Sequence, residues 1–343
     1  MPISFKNDYG QLAHPRILEA LAKANSETHI PYGLDKHSEQ AASYIKETFG
    51  APNAEVVFLA GGTQTNMVTI ATALRPHEAV IAVASGHINV HETGAVEASG
   101  HKILCAQGQD GKILPEEIAA IVKAHSDEHM VKPRMVYISD STEIGTIYSK
   151  EELLALRRVC DDFGLLLFID GARLGSALTC DANDVEPSLL GQVADAFYVG
   201  GTKNGLLIGE ALVLVNPTLQ KDIRYIIKNK GAMLAKGYLL GIEFEEAFRG
   251  GFYFELARQT NVLATKLRNG LAFLGLSLGS SPTNQIFVTL PKPIALSLID
   301  EFGCEKWEDK GGEMTIRFVV SFACDEEDID FALDRIATFL GKK

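Results

Sequence analysis

The sequence predicts an α/β fold with a central, mainly parallel seven-stranded sheet, followed by a smaller α+β domain. Between residues 55 and 215, short apolar runs alternate with segments of helical periodicity, the order expected for repeated β–α units. Several of these runs are apolar throughout, as strands buried on both faces are. After about residue 248 the pattern changes to a long helical segment and alternating, half-exposed strands, which indicates a second domain.

Helical segments separate the strands of the large sheet. The helix predicted over 63–74 follows two glycines, the helix over 114–125 begins with an acidic first turn, and the helix over 150–163 has one apolar side. The seven predicted strands cover residues 55–60, 79–84, 102–106, 135–139, 165–170, 196–200 and 211–215.

The second domain begins with a long predicted helix over 254–274 and ends with an amphipathic helix over 326–340. Two alternating strands, 285–290 and 314–320, lie between them. We therefore divide the chain into an N-terminal segment of residues 1–14, a large domain of residues 15–248 and a small C-terminal domain of residues 249–343.

The composition argues against several classes of protein. A net charge of −12 over 343 residues disfavours nucleic-acid binding, which needs clustered Lys and Arg. No apolar run approaches the roughly 20 residues of a membrane span, and the first residues lack the layout of a signal peptide. The five cysteines form no CxxC pair, so we expect neither a disulfide framework nor a structural zinc site. This cysteine usage predicts a cytoplasmic location.

One buried strand is predicted to end in an acid, at Phe168-Ile169-Asp170. Burying a carboxylate is unfavourable unless it has a partner, and ligands of open α/β sheets bind at the carboxyl ends of strands. Asp170 is therefore a candidate to meet the cationic atom of a ligand. The alternative is an Asp that only caps the following turn.

The next strand is followed by Gly200-Gly201-Thr202-Lys203. A lysine placed there can be desolvated, which lowers its pKa and lets the neutral amine attack an aldehyde. The alternative is a surface lysine in a flexible loop. Earlier in the chain, Gly61-Gly62-Thr63-Gln64 links a strand to a helix, whose free N–H groups favour an anion. The alternative there is a plain helix cap with Thr63 as the N-cap residue.

Together these three motifs match the needs of pyridoxal 5′-phosphate (PLP). Its phosphate suits a helix N-terminus, its pyridinium nitrogen needs a carboxylate such as Asp170, and its aldehyde needs a lysine such as Lys203. The glycine motif is neither GxGxxG nor a P-loop, which disfavours dinucleotides and nucleoside triphosphates.

These residues resemble the threonine aldolase / β-eliminating lyase family of fold-type-I PLP-dependent enzymes, from about Asn7 to Phe322. The resemblance implies a fold-type-I, PLP-dependent transferase-like fold and a homodimer or homotetramer. Phosphate binding is implied for Gly62, Thr63 and Gln64, stacking on the cofactor ring for His87, and a Schiff base for Lys203. Further implied contacts are Asp170 to the ring nitrogen, Arg173 and Arg317 to the substrate carboxylate, and Asn7, Tyr32 and Asp35 to the substrate, with the segment around Tyr32 often acting across the dimer interface.

The sequence departs from the family pattern in three places. The usual Ser-Lys-Gly is Thr202-Lys203-Asn204. A Thr-His-Asn stretch becomes Ser141-Thr142-Glu143, which puts Glu143 where a histidine linked to the substrate hydroxyl is usual. A Met-Arg-Gln-Ala-Gly stretch becomes residues 233–237, where Lys236 is the candidate replacement cation near the phosphate.

Some of these residues have alternative interpretations. His87 and His91 stand four residues apart beside Glu92, but they lack the HExxH order and an evident third ligand, so we expect no metal. Arg173 could instead pair with a neighbouring acid, and Arg317 could be a structural residue of its strand.

The predicted function is that of a PLP-dependent carbon–carbon lyase acting on a small β-hydroxy amino acid. The expected reaction is retro-aldol cleavage of threonine or allo-threonine to glycine and acetaldehyde, with His87, His91 or Glu143 handling the hydroxyl proton. Alternatives are a PLP-dependent β-eliminating lyase or transaminase, and a non-catalytic binding or regulatory protein. We expect no nucleic-acid or membrane partner.

Overall fold

A computed structural model describes residues 4–342. Its larger sheet has seven strands in the order β1-β7-β6-β5-β4-β2-β3, and β7 alone runs antiparallel to its neighbours. The predicted α/β class and the mainly parallel seven-stranded sheet are therefore confirmed. The strands are β1 (Glu55–Leu59), β2 (Glu78–Val83), β3 (Lys102–Ala106), β4 (Lys132–Ser139), β5 (Leu166–Asp170), β6 (Ala196–Gly200) and β7 (Glu210–Leu214).

The helices pack mostly on the two faces of this sheet and on each other. They are α1 (Pro15–Ala24), α2 (Lys36–Thr48), α3 (Gly62–Ala73), α4 (His87–Val90), α5 (Ala95–Ala98), α6 (Pro115–Ala124), α7 (Lys150–Phe163), α8 (Leu174–Thr179), α9 (Leu190–Val193), α10 (Pro217–Gln220), α11 (Ile223–Asn229), α12 (Tyr238–Phe248), α13 (Phe252–Phe273), α14 (Lys292–Phe302) and α15 (Glu326–Phe339). Short 3₁₀ helices span Pro187–Leu189 and Arg249–Gly251.

The central strands are apolar because both of their faces are covered. Every residue of β2, β5, β6 and β7 is buried, and separate apolar clusters lie on the two sides of the sheet. Helix α7 shows how the local sequence supports this packing. Ser149 and Glu152 form a capping box at its start, and Gly164 ends it with a left-handed φ of 63°.

A smaller antiparallel sheet follows, in the order β10-β11-β9-β8. It packs with α14, α15 and the second half of α13 around a third apolar cluster. Phe5 belongs to this cluster, so the N-terminal segment packs against the C-terminal part of the chain. The proposed boundary near residue 248 remains a prediction, because α13 also contributes to the core of the large sheet. The strands are β8 (Ser277–Leu278), β9 (Gln285–Pro291), β10 (Glu305–Asp309) and β11 (Glu313–Val319).

Parallel strands bring distant residues to one edge of the sheet. Ser139, the last residue of β4, is paired in register with Asp170, the last residue of β5. Lys203 follows β6 by three residues, and α3 begins just after β1. Within residues 4–342, no helix has both the length and the apolar character needed to cross a membrane.

Candidate active site

A cavity of about 320 Å³ opens at the carboxyl edge of the large sheet. The loops after β1, β4, β5 and β6 supply most of its wall, and Tyr9 joins them from the N-terminal segment. The structure thus brings together residues that the sequence separates widely. The predicted site residues that line it are Gly62, Thr63, His87, Glu143, Asp170, Arg173 and Lys203.

Asp170 accepts hydrogen bonds on both carboxylate oxygens. Oδ2 accepts from the Tyr137 hydroxyl at 2.6 Å and from Asn66 Nδ2 at 2.9 Å, while Oδ1 accepts from the Tyr198 hydroxyl at 2.5 Å and from the Ala172 N–H at 3.0 Å. Burial, reinforced by the charge of Asp170, raises the pKa of both tyrosines well above the ordinary value, so both hydroxyls stay protonated and donate. These donors hold a buried carboxylate in place at the cavity wall. A residue that only capped the turn would accept from the Ala172 N–H alone.

His87 is linked to Asp170 through two buried polar residues. Its Nδ1 lies 2.8 Å from Glu92 Oε1, and that oxygen also accepts from Asn66 Nδ2 at 2.7 Å. Burial alone would lower the pKa of His87, but the Glu92 hydrogen bond and the charges of Glu143 and Asp170 outweigh it and raise the pKa. Glu92 Oε2 and Asn66 Oδ1 have no partner among the described residues.

Lys203 lies in a low-dielectric setting at the cavity wall. Burial lowers the pKa of its amine, as does the nearby positive charge of Arg173, whereas Asp8, Glu143 and Asp170 act in the opposite direction. Its Nζ stands 6.0 Å from the centroid of the Tyr9 ring. The amine is therefore biased toward the neutral, nucleophilic form that attack on an aldehyde requires.

Glu210 is a wall residue that the sequence analysis missed. It begins β7, the antiparallel strand, and its Oε2 accepts from the Gly201 N–H at 2.9 Å. Burial raises the pKa of Glu210 to about 8, although the positive charge of Lys203 opposes this shift. The available signal was an acid, Glu210, at the start of an otherwise apolar run, because burying a carboxylate is unfavourable unless it has a partner.

The raised pKa of Glu210 predicts a pH-dependent stability. The unfolded group titrates near 4.5, so between pH 4.5 and about 8 the folded chain binds more protons than the unfolded chain. The free energy of unfolding therefore falls as the pH rises through this window. Glutamine does not titrate, so the free energy of unfolding of Glu210→Gln minus that of wild type should increase as the pH is raised from about 5 to about 8. Urea unfolding of the cofactor-free proteins measures this difference, and a difference that does not change with pH would contradict the assignment.

Arg173 forms a buried, bidentate ion pair with Asp8. Its Nε and Nη2 donate to the two Asp8 oxygens at 2.7 and 3.0 Å, and Asn284 Nδ2 donates to Asp8 Oδ2 at 3.0 Å. Burial alone would raise the pKa of Asp8, but Arg173 and Lys203 lower it below the ordinary value. The guanidinium thus has the fork geometry of a carboxylate binder, and here it holds a carboxylate of the same chain.

The first turn of α3 faces the cavity with free backbone donors. No side chain caps this helix, whose N-cap residue is Gly61 rather than Thr63, so its first N–H groups lack protein acceptors. A Cβ atom on Gly62 would come within 3.0 Å of the Tyr198 hydroxyl, so a side chain there would crowd this wall. Gln64 does not line the cavity, and its side-chain Oε1 accepts from the Ala60 N–H at 3.1 Å, so its predicted role stays a prediction.

Arg317 lies near this cavity without lining it. Its Nη1 donates to Gln285 Oε1 at 2.9 Å, its Nη2 bonds Glu305, and its guanidinium carbon lies 5.3 Å from the centroid of the Trp307 ring. Burial and the charge of Arg173 lower the pKa of Arg317. Its Nε is buried and has no hydrogen-bond partner among the described residues.

Besides Gln64 and Arg317, four predicted residues do not line the cavity of their own chain. Asn7 Oδ1 accepts from the Tyr9 N–H, and Asp35 is the buried N-cap of α2. Tyr32 and Lys236 are exposed, and they lie in neighbouring loops because the Tyr32 N–H donates to Ala235 O at 3.0 Å. The roles predicted for these four residues stay predictions.

The architecture and this wall define an enzyme of fold type I, in which an acid, a lysine and a helix N-terminus meet at the carboxyl edge of a mainly parallel sheet. A family model for the beta-eliminating lyases matches residues 12–292. The chain therefore belongs to the beta-eliminating lyase family, and the predicted resemblance is confirmed.

Similar proteins agree with this assignment. The chain is 32% identical over 321 residues to a low specificity L-threonine aldolase of Pseudomonas aeruginosa, covering 91% of each protein. A solved threonine aldolase of Leishmania major is 41% identical, with a TM-score of 0.97 over 99% of this chain and 100% of that one. An aspartate aminotransferase of Thermus thermophilus shares only the fold, at 16% identity and a TM-score of 0.75 over 98% of this chain and 91% of that one.

Proposed function

We propose that this lyase uses PLP to cleave small β-hydroxy amino acids, with threonine or allo-threonine giving glycine and acetaldehyde. The observation that carries the proposal is the shared cavity of Asp170 and Lys203, with the free N–H groups of α3 at the same wall. The similarity to two threonine aldolases supports the choice of substrate class. A cytoplasmic location stays a prediction.

The wall fits PLP in chemistry. The first turn of α3 would hold the phosphate, Asp170 the ring nitrogen, Lys203 the aldehyde, and His87 one face of the ring. When bound, PLP supplies an electron sink for the charge that develops at the α-carbon of the substrate. The protein contributes orientation and electrostatics, and the tyrosine and asparagine donors around Asp170 keep its carboxylate fixed.

Arg173 is our candidate for binding the substrate carboxylate. Its two donors already match a carboxylate, so a substrate would share or replace the contact that Asp8 makes. Arg317 on β11, whose pKa is lowered by burial and by the charge of Arg173, would add a second cation near the carboxylate. Holding the carboxylate fixes the orientation of the Cα–Cβ bond, which decides which bond can break.

Glu143 is our candidate for the hydroxyl proton. His91 is exposed and does not line the cavity, whereas Glu143 and His87 do. Despite burial, the Glu92 hydrogen bond and the charges of Glu143 and Asp170 raise the pKa of His87, which favours the protonated ring and leaves less neutral imidazole to accept a proton. The negative charge of Glu143 acts to raise the pKa values of His87, Arg173 and Lys203, which indicates a central position at the wall.

The Glu143→Gln variant should test this assignment. We expect kcat for threonine cleavage to fall by roughly 10²–10⁴-fold, because general base catalysis is lost, while PLP binding stays close to wild type. The exposed Glu151→Gln variant is the matched control. A normal kcat in Glu143→Gln together with a comparable loss in His87→Asn would transfer the role to His87.

A second subunit is proposed to complete the site. Tyr32 and Lys236 do not line the cavity of their own chain, and both are exposed in neighbouring loops, as is Leu34 beside Tyr32. We propose that this surface faces the cavity of a neighbouring copy in a homodimer or homotetramer.

A substrate panel decides the reaction. Purified protein with PLP is incubated with L-threonine, L-allo-threonine and L-serine, and glycine, aldehydes, keto acids and ammonia are quantified. Glycine with an equal amount of aldehyde supports retro-aldol cleavage. A keto acid with ammonia indicates β-elimination, a keto acid formed only with an amino acceptor indicates transamination, and no turnover on any amino acid favours a binding protein.

A further inference from the structure

A cluster of two histidines and one glutamate lies apart from the candidate active site. Glu27 and His29 follow α1, and His37 is in the first turn of α2. One ligand atom from each of the three residues lies within 4.8 Å of the others. None of the three lines the active-site cavity.

The two imidazoles are held by partners that are typical of metal-binding histidines. His37 Nδ1 lies 2.5 Å from Glu245 Oε2 on α12, and its Nε2 points to Glu27 Oε2 at 3.1 Å. His29 Nε2 lies 3.2 Å from Ala24 O. A carboxylate or carbonyl on one ring nitrogen fixes the tautomer and aims the other nitrogen at an ion.

Ion pairing alone accounts for only part of this cluster. Lys36 Nζ lies 2.7 Å from Glu27 Oε2, the oxygen that His37 also contacts. The Lys36 side chain is 71% exposed, so it can move into solvent when an ion takes its place. His29 belongs to no ion pair: its ring stacks on Tyr238, with centroids 4.5 Å apart, and its Nδ1 has no hydrogen-bond partner in the described part of the chain.

The ligand set favours one class of cation. Two imidazoles and one carboxylate suit Zn²⁺ and other divalent first-row transition metals, whereas Ca²⁺ and Mg²⁺ prefer oxygen ligands. Zinc bonds of about 2.0 Å place tetrahedral ligand atoms about 3.3 Å apart. The Glu27–His37 contact at 3.1 Å is already close to this spacing. The distances from His29 to the other two ligand atoms are at most 4.8 Å, and side-chain rotation must shorten them.

We propose that Glu27, His29 and His37 form a binding site for Zn²⁺, with Glu245 as the residue that orients His37. The ligands stand at the two ends of the loop over residues 30–35, so the ion would tie these ends together. That loop carries Tyr32, and an effect of the ion on a neighbouring active site rests on the proposed function. Binding of the ion does not depend on that proposal, and it adds a site where the sequence predicts no metal.

Calorimetric titration with ZnCl₂ tests the site on EDTA-treated, dialysed protein that carries no histidine tag. We expect one saturable Zn²⁺ per chain, visible absorption bands when Co²⁺ replaces it, and a higher Tm with Zn²⁺ present. Affinity should fall about 10–100-fold in Glu245→Gln and further in His29→Asn or His37→Asn. The exposed His129→Asn variant is the matched control and should bind as wild type does.

Two outcomes would overturn the proposal. One is the absence of saturable binding to wild type. The other is binding that is unchanged in His29→Asn, His37→Asn and Glu27→Gln, which would place the ion elsewhere. Because Glu27 is exposed, its substitution should leave folding intact, and it keeps the test decisive if a histidine variant misfolds. None of these measurements uses turnover, so failure of the aldolase assay would not be mistaken for failure here.

Discussion

The Lys203→Ala variant should lose threonine cleavage by roughly 10⁴-fold or more, together with the visible absorption that lysine-bound PLP gives the wild type. The physical reason is the environment of this amine. Burial and the charge of Arg173 lower the pKa of Lys203, which makes the neutral, nucleophilic amine easier to reach than in an ordinary lysine, and alanine has no group to replace it.

The control for this experiment is Lys221→Ala, which removes an exposed lysine outside the cavity wall. Absorption spectra with added PLP and glycine release from threonine are measured side by side for the three proteins. Retention of the visible band in Lys203→Ala, or of a normal rate, would remove the basis for assigning this residue.

The Asp170→Asn variant should reduce turnover by roughly 10²–10³-fold, because the amide no longer provides a negative charge opposite the ring nitrogen of the cofactor. It should also be less stable. The two tyrosines and Asn66 all donate to this side chain, and an amide nitrogen cannot accept from them.

Two companion variants separate charge from hydrogen bonding. Tyr137→Phe removes one donor and keeps the carboxylate, so its kcat should fall less than that of Asp170→Asn. Asp162→Asn changes an exposed acid at the end of α7 and should leave kcat unchanged. A near-normal kcat in Asp170→Asn, with PLP bound, would refute the role of this carboxylate.

Local patterns were enough to predict the strands of the large sheet. An apolar run bounded by glycines or polar residues is a local property, and β5 and β6 lie within one residue of the predicted ranges. The same reasoning placed Asp170 and Lys203 at strand ends, because parallel strands point their carboxyl ends to one edge. The short strands β8 and β10 went unpredicted, since β8 has only two residues and β10 is largely exposed.

Contacts between distant segments could not be read from such patterns. Asp8 and Arg173 are 165 residues apart, and nothing near Asp8 marks it as the partner of a guanidinium. Tyr137 and Tyr198 looked like ordinary residues of buried strands, and only the sheet shows their hydroxyls converging on one carboxylate. Glu210 acquires its raised pKa, of about 8, from burial in a wall that four separate loops create.

The sequence by itself determined the fold class, and it predicted the cofactor chemistry and the two residues that should act on opposite ends of the ring, because strand ends, glycine turns and helix starts are encoded within a few neighbouring residues. The tertiary structure decided what surrounds them: the donors on Asp170, the acid that holds Arg173, and the absence of Tyr32 and Lys236 from the cavity wall of the described chain. Those outcomes depend on burial and on charges brought together across the chain, which no local pattern specifies.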